Sequence, residues 1–274
     1  MKMIIPTLVA LAVCAGSALA QSTSPAAEPT NAAEAAAKKA EADRKLEEAY
    51  QNIVSKLPLA QQDWERVLQS QLGTFYLPLH KRDKVAGRSN AWDFVEDRPG
   101  LPRILLIGDS VSRAYTQTVR KELEGVANVH RAPANCGPTA SGIKNIETWL
   151  GNGKWDVIHF NFGIHDRNTA AADYTARLEQ LVERMKKTGA RLMWATTTPI
   201  PDTADGKQKA SSIVEKNELA AEIMKRHQVA VDDLFNAIKP HLDKLQNPND
   251  VHFNAEGNEF LGKAAATAIK TLIK

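Results

Sequence analysis

From Arg103 onward, short apolar runs alternate with stretches in which apolar residues return every three or four positions. The runs at 103–107, 127–131, 156–161, 190–196 and 229–232 have the length of buried strands, and each is followed by helical periodicity or by a loop rich in turn residues. Tyr174, Leu178, Leu181, Val182 and Met185 fall on one side of a helix near 173–187, with Gly189 just beyond it. Phe260, Leu261, Ala264, Ala265, Ala268, Ile269 and Leu272 repeat that logic at the C-terminus. Strands that alternate with helices predict a parallel sheet covered on both faces, the three-layer α/β/α doubly wound architecture.

Ahead of Arg103 the pattern is helical. Leu46, Tyr50, Ile53, Val54 and Leu57 share one helical side before Pro58, and Trp64, Val67, Leu68 and Leu72 do so before Gly73, so two helices can pack as an N-terminal extension. Residues 21–45 are different: rich in Ala, Glu, Lys and Pro, they read from Asn31 as a charged helix with Glu34 in its first turn and no core face. Such a stretch serves as a spacer to an envelope surface or as a coiled-coil helix, although its heptads are short of large apolar residues. Residues 75–102 carry Tyr76, Trp92 and Phe94 among charges and read as a linker that rims the site or wraps the domain edge. The expected division is a leader over 1–20, a spacer over 21–45, a helical extension and linker over 46–102, and a sheet domain over 103–274.

The leader changes the expected compartment. Lys2 supplies a positive start, Ile4 to Val13 a short apolar core, and Ala18-Leu19-Ala20 a cleavage site before Gln21, which predicts export to the periplasm or medium. Cys14 offers a lipoprotein site, but bulky Val13 precedes it and the Ala-x-Ala site competes. No run approaches the ~20 apolar residues that a transmembrane helix needs. Losing Lys2 leaves 34 basic against 32 acidic side chains, without a basic stripe, so neither nucleic acid nor an anionic membrane surface is an expected partner. Cys136 is then the single cysteine, which excludes an internal disulfide. Possible envelope contact falls to the N-terminal helices.

The chemistry sits at strand ends. Gly108-Asp109-Ser110 closes the run Arg103 to Ile107, placing a hydroxyl where a strand stops and a helical pattern starts, beside backbone N–H groups free to hold an oxyanion. Taken alone, the same residues make an ordinary helix cap. Far downstream, Asn249-Asp250-Val251-His252 puts an imidazole and a carboxylate just ahead of the last helix. A serine hydroxyl needs such a base, oriented by an acid, to become a nucleophile. In a doubly wound sheet the ligand crevice lies outside the carboxyl ends of the strands, where Ser110, Gly137 and His165 fall. The elbow Gly-x-Ser-x-Gly, the Walker A loop and the dinucleotide fingerprint are absent, so no cofactor is expected. His159, His165 and Asp166 form no compact ligand set, so no metal is expected either.

Gly108-Asp109-Ser110, Gly137-Pro138-Thr139, Gly163-Ile164-His165-Asp166 and Asn249-Asp250-Val251-His252 together resemble the four ordered blocks of the SGNH, or GDSL, hydrolase family, across roughly residues 100–274. The resemblance implies a flavodoxin-like sheet and a serine esterase. It casts Ser110 as nucleophile and, through its own N–H, first oxyanion donor, His252 as base, and Gly137 and His165 as the other two donors. Two positions depart from the family pattern: His165 stands where Asn is usual, and Asn249 stands where the acid three residues before the histidine is usual. An imidazole N–H can replace the amide. Asp250 can replace the acid only if the loop turns it toward His252, and otherwise Ser110 and His252 act as a dyad. Gly137 also has the plain reading of a turn residue in Asn135-Cys136-Gly137-Pro138.

The resulting expectation is an exported esterase that removes acetyl or other short acyl groups, on a small molecule or a glycan, with Trp92, Trp149, Trp155 and Trp194 either sugar platforms or core. A periplasmic O-acetyltransferase using the same residues and a catalytically silent envelope-binding module stand as alternatives.

Overall fold

The structure, a computed structural model, describes residues 31–273, so the expected leader and its cleavage after Ala20 lie outside the described residues. The chain divides into two compact units, residues 1–44 and residues 45–274. Helix α1 (Asn31–Val54) has residues in each unit. In the first unit its described residues are all exposed and carry the local ion pairs Lys39 to Asp43 at 2.7 Å and Arg44 to Glu41 at 2.9 Å, as a helix without a core face requires.

In the second unit, the end of α1 meets α2 (Leu59–Gln71) and α3 (Gly73–Val85). Their junction is polar at its centre: the Glu65 carboxylate, buried, accepts from Tyr50 Oη at 2.8 Å and pairs with His80 Nε2 at 2.7 Å and Lys84 Nζ at 2.6 Å. Beside it, Leu68, Leu72 and Trp92 form a small apolar cluster with Trp64, Tyr76 and Leu77. Helix α3 corrects the reading of residues 75–102 as linker throughout. Pro78 sits inside it, removing one backbone donor, and packing against the neighbouring helices overrides that local penalty.

The sheet begins with β1 (Arg103–Ile107), then α4 (Ser110–Glu122), β2 (Asn128–Arg131), α5 (Thr139–Leu150), β3 (Val157–Phe160), α6 (Ala171–Lys186), β4 (Arg191–Ala195), α7 (Ala210–His227) and β5 (Ala230–Asp232). Short helices α8 (Leu234–Ile238) and α9 (Leu242–Leu245) lead to α10 (Ala255–Leu272). Five strands pair in parallel in the order β2-β1-β3-β4-β5, with Ile104 opposite Val129 and Val157, so the predicted doubly wound, flavodoxin-like order is the one observed.

Alternation along β1 sends side chains to two separate cores. Leu105 and Ile107 join Ile158, Phe160 and Trp194 under α5, α6 and α7. Ile104 and Leu106 join Val129, Val157 and Met193 under α4, α8 and α10. Residues 90–102 wrap the β2 edge: the Asn128 side chain bonds Arg98 N and the carbonyls of Arg98 and Leu101, and Arg120 donates to the carbonyls of Asn90 and Ala91. No described helix is long and apolar enough to cross a membrane.

Candidate active site

Strand β1 stops at Ile107 and α4 starts at Ser110, capped by Asp109, whose carboxylate accepts the Val111 N–H at 3.0 Å. The turn is held from beneath by Arg131, the last residue of β2. Its buried guanidinium donates to the carbonyls of Gly108 and Asp109, each at 2.9 Å, and to the Ser112 hydroxyl at 2.8 Å. Gly108 is required here for space: a Cβ would stand 2.6 Å from Ser112 Oγ. Ser110, the first helical residue, leaves its N–H outside the helical ladder.

His252 comes from the loop before α10. Asn254 caps that helix by accepting the Gly257 N–H at 2.9 Å, Phe253 is buried, and the His252 carbonyl accepts the Asn247 N–H at 3.0 Å. So anchored, the ring puts Nε2 2.8 Å from Ser110 Oγ and Nδ1 2.8 Å from Asp250 Oδ1. The departure at Asn249 has a backbone counterpart. Asn249 adopts φ +56°, a left-handed conformation that asparagine tolerates, and the chain then presents the next residue's carboxylate to the imidazole. Burial works to raise the Asp250 carboxyl, but hydrogen bonds from the His252 ring and backbone outweigh it and hold the group below its usual range. An ionised carboxylate at Nδ1 keeps the proton on that nitrogen, so Nε2 faces the hydroxyl as an acceptor. The Asp250, His252 and Ser110 side chains form one hydrogen-bonded line.

The segment that carries Gly137 is tied to the same turn, since Cys136 N–H donates to the Gly108 carbonyl at 3.1 Å. Gly137 has φ +66°, which a side chain would strain, and its N–H bonds no backbone carbonyl among the described residues. Beyond it, Thr139 donates to the Asp166 carboxylate through its N–H at 2.7 Å and its hydroxyl at 2.8 Å. That clamp joins the second and third sequence blocks. His165 lies in the 3₁₀ turn Ile164–Asp166 beside the clamp, with an exposed ring that makes no hydrogen bond among the described residues. The clamp is not evident from the sequence because Thr139 and Asp166 stand 27 residues apart. The position of Asp166 next to a candidate donor, in a chain with a hydroxyl at Thr139, was the available signal.

His159 is buried on β3 and bonds Asp232 Oδ2 at 2.9 Å, and among the described residues no three His, Cys, Asp or Glu side chains are grouped to hold a metal. Trp92, Trp149 and Trp194 are buried and belong to the cores. Half-buried Trp155 carries the Arg103 guanidinium 4.3 Å above its ring. Trp92 and Trp194 offer no open face, whereas Trp149 and Trp155 line a cavity of about 490 Å³ together with Trp64.

Residues 106–260 match the model of a family described as GDSL-like lipase/acylhydrolase. Among solved structures, the chain is similar to a lipase/acylhydrolase from Enterococcus faecalis at 21% identity and TM-score 0.57, covering 62% of this chain and 96% of that one. It is also similar to the acetyl xylan esterase AlAXEase at 15% identity and TM-score 0.54, covering 61% and 99% of the two chains. The acetylxylan esterase Axe2 from Geobacillus stearothermophilus gives 16% identity, TM-score 0.54, and coverage of 61% and 94%. At these identities the likeness shows a shared fold. No curated protein matches the sequence.

Proposed function

Since the chain belongs to the GDSL-like lipase/acylhydrolase family and is a carboxylic ester hydrolase, we propose that it works through an acyl-enzyme on Ser110 and removes short acyl groups, acetyl above all, from a carbohydrate. The observation that carries the reading is the 2.8 Å approach of Ser110 Oγ to His252 Nε2. In the proposed cycle His252 takes the Ser110 proton as Oγ attacks the ester carbonyl, then returns it to the departing alcohol. Water, activated by the same imidazole, releases the acid and restores the serine. Asp250 holds the ring and stabilises its charged form.

Negative charge on the carbonyl oxygen peaks in the tetrahedral intermediate, so donors fixed at that place stabilise the transition state more than the ground state. The proposed donors are the N–H groups of Ser110 and Gly137 and the ring of His165, and each such donor is worth about 3–4 kcal/mol in comparable hydrolases. Hydrolysis is favoured over acyl transfer to a sugar because the His252 side chain is 41% exposed, which admits water to the base.

The carbohydrate and the acetyl group rest on the acetylxylan esterases among the similar structures, and export with envelope contact rests on the sequence of residues 1–45. Ser110→Ala is expected to abolish hydrolysis of p-nitrophenyl acetate while leaving the fold intact. Unchanged turnover by a folded Ser110→Ala protein refutes the assignment, and acetate release from a panel of acetylated glycans against simple esters tests the substrate class.

A further inference from the structure

One turn along α4 from Ser110 stands a cation without a counter-ion. Arg113 lies three residues after the serine, on the neighbouring position of the same helical face. Its guanidinium carbon is 5.5 Å from the centre of the Tyr76 ring and 6.0 Å from that of Trp92. The residue is half-buried, its Nε is shielded from solvent, and its guanidinium makes no hydrogen bond or ion pair among the described residues. The other partly or fully buried arginines of the second unit do find partners: Arg103 pairs with Asp97 at 2.9 Å, Arg184 with Glu147 at 2.5 Å, Arg120 and Arg167 donate to backbone carbonyls, Arg177 lies 3.6 Å from Asp173, and Arg131 bonds four carbonyl and hydroxyl oxygens.

The surroundings hold Arg113 in place. Trp92 is buried and its Nε1 donates to the Ala134 carbonyl at 3.4 Å, in the segment that leads to Gly137. Next to Ala134, the Asn135 carboxamide oxygen is also buried, with no hydrogen-bond partner among the described residues. Arg113, on the nucleophile's own helix, is thus backed by aromatic faces that attract a cation and restrict its motion, one of them bonded to the segment that leads to the second proposed oxyanion donor. Buried Arg131 adds a second guanidinium under the same turn, while the Asp109 carboxylate that caps α4 offsets the positive end of that helix. A guanidinium so placed offers a planar fork of N–H donors, the geometry that matches a carboxylate.

We infer that Arg113 is a specificity-determining residue that binds a carboxylate carried by the substrate, so that the preferred ester stands on a glycan containing a uronic acid. The inference rests on Ser110 being the nucleophile and deepens that reading. Neutral substrates lack the partner the guanidinium requires, and an anionic ring docked on Arg113 brings its ester groups to the serine one turn away.

The test compares acetylated galacturonate oligosaccharides as free acids with the same oligosaccharides methyl-esterified at the carboxyl. Binding is measured by calorimetry on the Ser110→Ala protein, and acetate release on the wild type. The free acid is expected to bind at least about tenfold more tightly than the methyl ester, and adding Arg113→Gln is expected to bring that ratio to about one. Arg113→Lys, which keeps the charge and loses the fork, should give an intermediate ratio. Equal binding of the two forms, or a ratio unchanged by Arg113→Gln, overturns the inference. Arg113-dependent binding of the acid without acetate release upholds the carboxylate site and overturns deacetylation of these glycans. Acetate release at equal rates from both forms, with binding indifferent to Arg113, does the reverse.

Discussion

Asn249 shows what one residue's backbone can decide. The types needed for an activated serine were legible as Ser110, His252 and Asp250, because a strand-end hydroxyl and a pre-helical imidazole with an adjacent acid are visible in sequence. Whether Asp250 could reach the ring was not legible, since it depends on a left-handed conformation at a non-glycine residue. With Nδ1 of His252 2.8 Å from Asp250 Oδ1, Asp250→Asn is expected to lower kcat strongly, though by less than the roughly 10⁴-fold of a buried triad aspartate because the Asp250 side chain is 45% exposed. Rates within a few fold of wild type in steady-state assays of that variant would leave Ser110 and His252 as a dyad. His165 presents the opposite case: its place in the third block was legible, and among the described residues no partner fixes the orientation of its exposed ring.

Among the elements, the strands were read to within about two residues because each is a short apolar run bounded by turn residues, and burial on both faces leaves such runs little alternative. Helix α3 escaped the same reading. Pro78 marks a break by local rules, and the contacts that hold the helix, His80 on Glu65 above all, join residues far apart in sequence. Burial on its own raises the Glu65 carboxyl, yet hydrogen bonds from His80, Lys84 and Tyr50 outweigh it and bring the group to about 2, from an ordinary 4.5. A carboxyl with a lower pKa in the folded than in the unfolded chain contributes its stability in full above the unfolded value, and loses it as protons bind on the way down to the folded value. Urea midpoints are therefore expected to fall as pH drops from about 5 toward 2, and the fall should be shallower in Glu65→Gln, which starts less stable by about 3 kcal/mol from its unpaired buried partners. A midpoint curve over that range identical in wild type and variant would remove Glu65 from the account.

Across the molecule, the strand order places the ends of β1, β2 and β3 along one edge, and the four sequence blocks meet there through specific bonds. Arg131 reaches the Gly108 carbonyl, Cys136 N–H reaches the same carbonyl, and Thr139 reaches Asp166. The convergence was legible from topology, because a doubly wound sheet collects its βα loops at one edge. The bonds were not, since a buried arginine reads in sequence as one more charge on a strand. Nor was the approach of Tyr76 and Trp92 to α4, which depends on how residues 90–102 fold back along β2. The most direct measurement of the central claim is covalent labelling with a fluorophosphonate, read by mass spectrometry alongside ester turnover. The account predicts one adduct, on Ser110, that forms as activity disappears, is absent in Ser110→Ala, and forms at least about 10³-fold more slowly in His252→Ala. Activity that persists while Ser110 is fully labelled, or labelling that proceeds at the wild-type rate in His252→Ala, would contradict it.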